Sequence, residues 1–144
     1  MRKIMMLAVG AALLVSFPAS AQAAPSPTAV LSTHRCTASS DYCIVIEYTR
    51  ASPHRVPLLI AHKVSGRKGH TYWARWTYQK PGKRITVGGW KKSTWTGENG
   101  RVPGVAVETL WGYSGRRGGP KLPKKTLVCT QFKGSKQKAC YRLG

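Results

Sequence analysis

The sequence predicts an all-β domain, a small antiparallel β-sandwich (immunoglobulin-like) or a partly open barrel of about seven strands with two local disulfides. Three observations carry this. Residues 42–49 alternate with a period of two, Ile44, Ile46 and Tyr48 against Val45, Glu47 and Thr49, which suits a strand with one buried face. The stretch from His70 to Trp95 is dense in aromatic and β-branched residues and is broken by Lys80-Pro81-Gly82-Lys83. Four cysteines fall into two pairs, each symmetric about a turn signal. Against helices, prolines and glycines recur throughout, and apolar residues do not recur at helical spacing.

The chain opens with Arg2 and Lys3, an apolar run from Ile4 to Val15, Pro18, and then Ala19-Ser20-Ala21-Gln22-Ala23-Ala24. Positive start, short apolar middle and small-residue finish are the parts of a secretory signal peptide. The run is shorter than the roughly 20 apolar residues that cross a bilayer. Residues 1–23 are therefore expected to be removed, by cleavage after Ala23 or, as the close competitor, after Ala21. The mature protein is expected outside the cell with no transmembrane segment. Removing 1–23 from the 144 residues leaves 121, the size of one domain. Residues 24–34, rich in Pro, Ser and Thr, are expected as a flexible lead-in, and 35–144 as a single β domain.

Tyr42 to Thr49 is the first predicted strand, and Val56 to Val64 the second, after a break at Ser52-Pro53. Tyr72 to Tyr78 and Ile85 to Val87 form the arms of a hairpin, because Pro-Gly fits the two central positions of a type II turn. Its alternation puts Trp76 inside with Tyr72, Ala74 and Tyr78, while Trp95 is placed outside beside Lys91 and Lys92. Gly97-Glu98-Asn99-Gly100 reads as a turn. Val105, Val107, Thr109 and Trp111 then share one face of a strand. Ser114 to Lys125 is a loop whose glycines and prolines do not suit a central strand.

Secreted context and an even cysteine count predict two bridges. Gly134-Ser135 lies midway between Cys129 and Cys140 and suits a type II′ turn. Ser39-Ser40 lies midway between Cys36 and Cys43. A symmetric hairpin sets such pairs opposite each other, within reach of a disulfide. Intervals of six and ten residues do not match the close pairs of zinc sites, so no metal or cofactor is expected. The immunoglobulin-like option rests on strand count alone, since these spacings do not supply the inter-sheet disulfide of antibody domains.

Lysine and arginine number 24 against four acids, a formal net charge of +20. After loss of Arg2 and Lys3 it is +18. Such an excess opposes compaction by self-repulsion and points to anionic partners. Candidate binding residues are Arg116, Arg117, Lys121, Lys124, Lys125, Lys133, Lys136 and Lys138, with Trp95 as a stacking ring. The expected function is binding of an anionic polymer or cell-surface component, whether nucleic acid, teichoic acid, acidic polysaccharide or anionic lipid head groups. A protease inhibitor or other protein-binding module is the alternative, with Arg116, Arg117 or Lys121 entering an acidic specificity pocket.

Catalysis has little to draw on. Glu47 and Glu108 sit in predicted strands, where a cross-strand pair with a residue such as Arg75 accounts for them. A metal-free ribonuclease would use two of His34, His54, His62 and His70 as acid and base, but no spacing selects a pair. His34, His54 and His70 adjoin turn residues, where solvent exposure is the simpler account. No G-x-S-x-G elbow or phosphate-binding glycine loop is present. The sequence therefore names no catalytic residue, and no enzyme is expected.

Overall fold

Residues whose pattern is strictly alternating become strands that bury one face. In the computed structural model, which describes residues 29–97, 104–114 and 118–144, Tyr42–Thr49 is a strand with Ile44, Ile46 and Tyr48 buried and Val45, Glu47 and Thr49 half-buried. The expected leader 1–23, the Asn99-Gly100 turn, Arg116 and Arg117 lie outside the described residues.

The elements in chain order are β1 (Val30–Cys36), β2 (Tyr42–Thr49), β3 (His54–Arg55), β4 (Leu58–Lys63), β5 (Trp73–Gln79), β6 (Ile85–Val87), β7 (Lys91–Lys92), β8 (Thr94–Trp95), β9 (Val107–Gly112), β10 (Lys121–Leu122), β11 (Leu127–Phe132) and β12 (Ala139–Arg142). The fold is all-β, with antiparallel ladders. One sheet runs β1-β2-β4-β9-β8, a second β12-β11-β5-β6 with β7 also on β5, and β10 pairs with β3 in a short ladder. Among the described residues twelve strands form where about seven were expected. The surplus is β1 together with β3, β7, β8 and β10; these last four have two residues each, too short to leave a periodic signature.

Of the expected lead-in 24–34, residues 24–28 lie outside the described residues, and 30–34 belong to a strand. β1 begins at Val30 and pairs with β2 over its whole length, from Val30 opposite Thr49 to Cys36 opposite Cys43. Leu31 and Thr33 lie on its more buried face, but Ser32 and His34 between them disguise the strand as polar coil. It gains its order from pairing with β2 and from the disulfide at its end, and not from a strand pattern of its own.

Both disulfides form as the hairpin symmetry demands. Cys36 joins Cys43 and Cys129 joins Cys140, each with a Cα separation of 4.0 Å and each between directly opposite residues. The turn between Cys129 and Cys140 is displaced by one residue from the sequence expectation. Ser135 N donates to Phe132 O at 3.1 Å, so Lys133 and Gly134 are the central residues, and Gly134 has φ +85°. Glycine in the third position at positive φ is what a type II turn requires. The Pro81-Gly82 turn forms as expected, with Lys83 N donating to Lys80 O at 3.1 Å and Gly82 at φ +66°.

The two larger sheets share a core. Ile44, Ile46, Tyr48 and Leu59 of the first sheet pack with Val128 and Ala139 of the second, together with Val56, Leu122 and Leu143. A smaller cluster joins Ala61 and Val107 to Ala74 and Phe132. β1 and β12 lie in contact. At the opposite side the chain passes directly from β7, paired to β5, to β8, paired to β9.

Two glycines bring their own backbone hard against residues 56–57, just before β4. Gly112 and Gly119 have φ +81° and +87°, and a β-carbon on either would collide with the Pro57 or Val56 carbonyl oxygen. Gly119→Ala is expected to lower stability by about 2–5 kcal/mol, combining left-handed strain with the backbone clash. Gly134→Ala has similar φ and nothing within 4 Å of the added carbon, so it should cost only about 1–2 kcal/mol. Urea midpoints of the two variants measure the difference, and equal midpoints would refute the packing account.

Candidate functional site

The central strand of the second sheet, β5, sorts its side chains by parity. Ala74, Trp76 and Tyr78 pack towards the core, so Trp73, Arg75, Thr77 and Gln79 lie on the other face, where Thr77 and Cys129 opposite it are themselves covered, each 6% exposed. Directly opposite residues of antiparallel strands share a face. Lys92 stands opposite Trp73, Gln131 opposite Arg75, Cys129 and Val87 opposite Thr77, and Leu127 and Ile85 opposite Gln79. The result is an outward face of rings, aliphatic groups and cations across β6, β5, β11 and β12.

Its middle is fixed by contacts. The Arg75 guanidinium lies 4.5 Å from the centre of the Trp90 ring, a cation–π distance. Arg75 Nε and Nη2 donate to Gln131 Oε1 at 3.2 and 2.9 Å, and Gln131 Nε2 donates to Ser135 O at 2.8 Å. Trp90 is thereby held over the sheet with 38% of its surface exposed, and Trp73 beside it is 39% exposed.

Cations flank this middle at both ends. At one end Lys133 extends the ladder, its N donating to Trp73 O at 2.8 Å, with Lys92 on the other side of Trp73. At the other, Lys80, Gly82, Lys125 and Arg142 surround a shallow depression. There Lys125 N donates to Leu143 O at 2.8 Å, and Arg142 Nη1 donates to Lys125 O at 3.1 Å. Lys124 is exposed next to it. The six residues of β11 separate the two ends by roughly 20 Å.

The sequence puts Lys121, Lys124 and Lys125 in one loop and Lys133, Lys136 and Lys138 at the tip of the last hairpin, with loop and tip expected to share a surface. The structure distributes them. Lys124 and Lys125 precede β11, whereas Lys133 follows it. Lys136 and Lys138 flank Gln137, whose Oε1 accepts from Ser39 Oγ at 2.8 Å, so they sit beside the β1–β2 turn. Lys121 is on β10, opposite Arg55. Trp95 is outside as expected, 41% exposed, but on β8 of the first sheet and over Gly66 and Gly97. Three cations of this face, Lys80, Lys92 and Arg142, are not legible in the sequence, because only strand pairing brings them here.

Other polar groups lie away from this face. His54 is 1% exposed, not solvent-facing as its neighbourhood in the sequence suggests. Its Nδ1 lies 2.7 Å from Thr49 O and its ring meets Tyr48 edge-on, so pairing of β3 with β10 covers it. Glu108 does take a cross-strand partner, but that is His62, directly opposite at 3.5 Å, while Arg75 turns to Gln131. His34 lies with Cys36 and Cys43 in a group of metal-ligand spacing. With the two sulfurs bonded together, this group offers an imidazole and no thiolate. At Asp41, burial pushes the carboxyl up, but hydrogen bonds from Lys63 and Ser65 with the Lys63 charge outweigh it and hold the group below its usual value.

The chain matches no protein-family model, no curated protein and no solved structure. Its residues and their geometry are therefore the whole basis for function.

Burial, followed by the hydrogen bond and charge of Tyr141, pushes the Tyr48 phenol up to about 12; the two hydroxyl oxygens are 2.8 Å apart. A folded-state value above the ordinary 10.0 means that the folded protein holds this proton longer than the unfolded chain. The resulting stability is complete below about pH 10 and disappears as pH rises to about 12. Tyr48→Phe should therefore lose less stability than the parent between about pH 9 and about pH 12. Urea titrations at both ends measure this, and parallel losses would remove Tyr48 as the cause.

Proposed function

We propose that this protein is an exported cationic β domain that holds an anionic polymer along the outward face of its second sheet. The observation that carries the reading is the juxtaposition there of exposed Trp73 and Trp90 with cations at both ends. Four acids face 24 basic residues in the whole sequence. Asp41 is committed to Lys63, and Glu108 is buried against His62, which leaves a large positive excess for a partner.

Rings and cations suit a polymer with repeated negative charges, because each neutralised charge releases counterions and each ring gives a sequence-tolerant platform. The inhibitor alternative gains no support from Lys121, whose backbone is held in the β3–β10 ladder and not in a free loop. The ribonuclease reading is weakened at two of its candidates, because His54 and His62 are shut away from solvent. For the fold itself, contact of β1 with β12 and the passage of β7–β8 between sheets favour the partly open barrel over the immunoglobulin-like sandwich.

Single-stranded DNA of mixed sequence is a convenient probe for the shared phosphate chemistry. Replacing Lys92, Lys124, Lys125 and Lys133 together by Gln should weaken binding and flatten its salt dependence by about 0.7 log units for each phosphate that is no longer neutralised. Trp90→Ala should weaken binding by about 1–3 kcal/mol with little change in slope, since stacking is not ionic. Lys121→Gln, on the separate β3–β10 ladder, is the control; Lys63 would not serve, because it holds the Asp41 ion pair. Wild-type affinity and slope in the quadruple variant would overturn the proposed face.

A further inference from the structure

The opposite parity of β5 leads to a second feature. Trp76 and Tyr78 are parallel, their ring centres 5.4 Å apart and their planes 4° from each other. The next residue of that parity is Lys80, whose ammonium lies 5.9 Å from the Tyr78 ring centre. Trp76 and Tyr78 form one wall of a cleft that enters the core between the sheets. Val56, Leu59, Trp111, Leu122 and Val128 are among the residues that line the rest, with Gly112 and Gly119 contributing no side chain. The cavity measures about 140 Å³, close to the size of an apolar protein cavity that takes up benzene.

The lining fixes the chemistry of an occupant. The walls are hydrocarbon and ring faces, so a sugar would leave its hydroxyl groups unpaired there, at a cost that a hydrocarbon avoids. The cleft is concave and narrow, which suits one chain and not a bilayer surface. Its row of rings ends at a cation, and the protein carries a large positive excess, so the head of the occupant is an anion. We propose that the cleft is a binding site for a single free alkyl carboxylate, its chain end seated among Trp76, Trp111 and Val128 and its carboxylate at Lys80. Trp76 and Lys80 are about 14 Å apart along the strand, which calls for a chain of medium length.

The five tryptophans provide the test. Trp76 and Trp111 line the cleft, whereas Trp73, Trp90 and Trp95 are exposed elsewhere. Decanoate is titrated below its micellar concentration while the indole N–H signals are followed by NMR. The expected result is saturable movement of the Trp76 and Trp111 signals, with the other three unchanged. Lys80→Gln should weaken decanoate about two- to fivefold, the worth of an exposed charge pair, and leave decanol unaffected. Val128→Phe, which fills the cavity, should abolish both responses while single-stranded DNA still binds. Movement confined to Trp73, Trp90 or Trp95, no saturation, or equal affinity for decanoate and decyltrimethylammonium would each overturn the site. Should Val128→Phe not fold, the Lys80→Gln comparison and the indole pattern still decide. DNA binding is read in a separate assay, so either proposal can fail alone.

Discussion

Self-repulsion is the constraint that the rest of this structure answers. A formal charge of +20 on 144 residues works against any compact state, and four acids cannot offset it pairwise. The cations are spread over β7, the 80–83 turn, the 124–125 corner and the 133–138 tip, and so away from the core. What holds the chain together is apolar burial between the two large sheets and two covalent links. Each disulfide closes a short loop, with sequence separations of 7 and 11, and contributes about 2–3 kcal/mol on the chain-entropy account. Both join neighbouring strands and not one sheet to the other, so cohesion between the sheets rests on packing.

That division explains what can be read from the sequence. β2, the β5–β6 hairpin and the two disulfide registers are legible because their signals are local: period two, Pro81-Gly82, and symmetry about a turn. β1 is not, since Ser32 and His34 carry no strand signature and the order comes from β2. His54 misleads for the same reason, as its cover is Leu122, on the strand paired with its own and 68 residues further along the chain. Parity does place Trp76 on the core side, but it is only half-buried. Its indole lies against Gly88, where any side chain would collide with it.

The basic cluster shows the limit of arguing from proximity in sequence. Lys125 and Lys133 are eight residues apart, which suggests one patch. A strand of six residues between them instead sets them at opposite ends of a face. What the hairpin separates, the sheet partly reassembles, because β5 and β7 bring Lys80 and Lys92 to those same ends. Two basic ends with rings between them suit an extended polymer better than a compact anion. A ligand spanning both gains from the second end without a second loss of translational freedom.

Parity along β5 makes one strand serve two surfaces. Trp73 and Arg75 face the outward platform, and Trp76 and Tyr78 face the cleft. At the end of the strand the separation ceases, because Lys80 belongs to the Tyr78 row and also borders the depression with Lys125 and Arg142. An ammonium that neutralises a carboxylate over Tyr78 is not available to a polymer charge at that depression. The proposed ligands are therefore coupled through Lys80, and linkage requires the coupling to be reciprocal. A single exposed charge is worth only about 0.2–1 kcal/mol, so each ligand should weaken the other by a small factor without excluding it. The cations at the Trp73 end lie roughly 20 Å away and stay outside this competition.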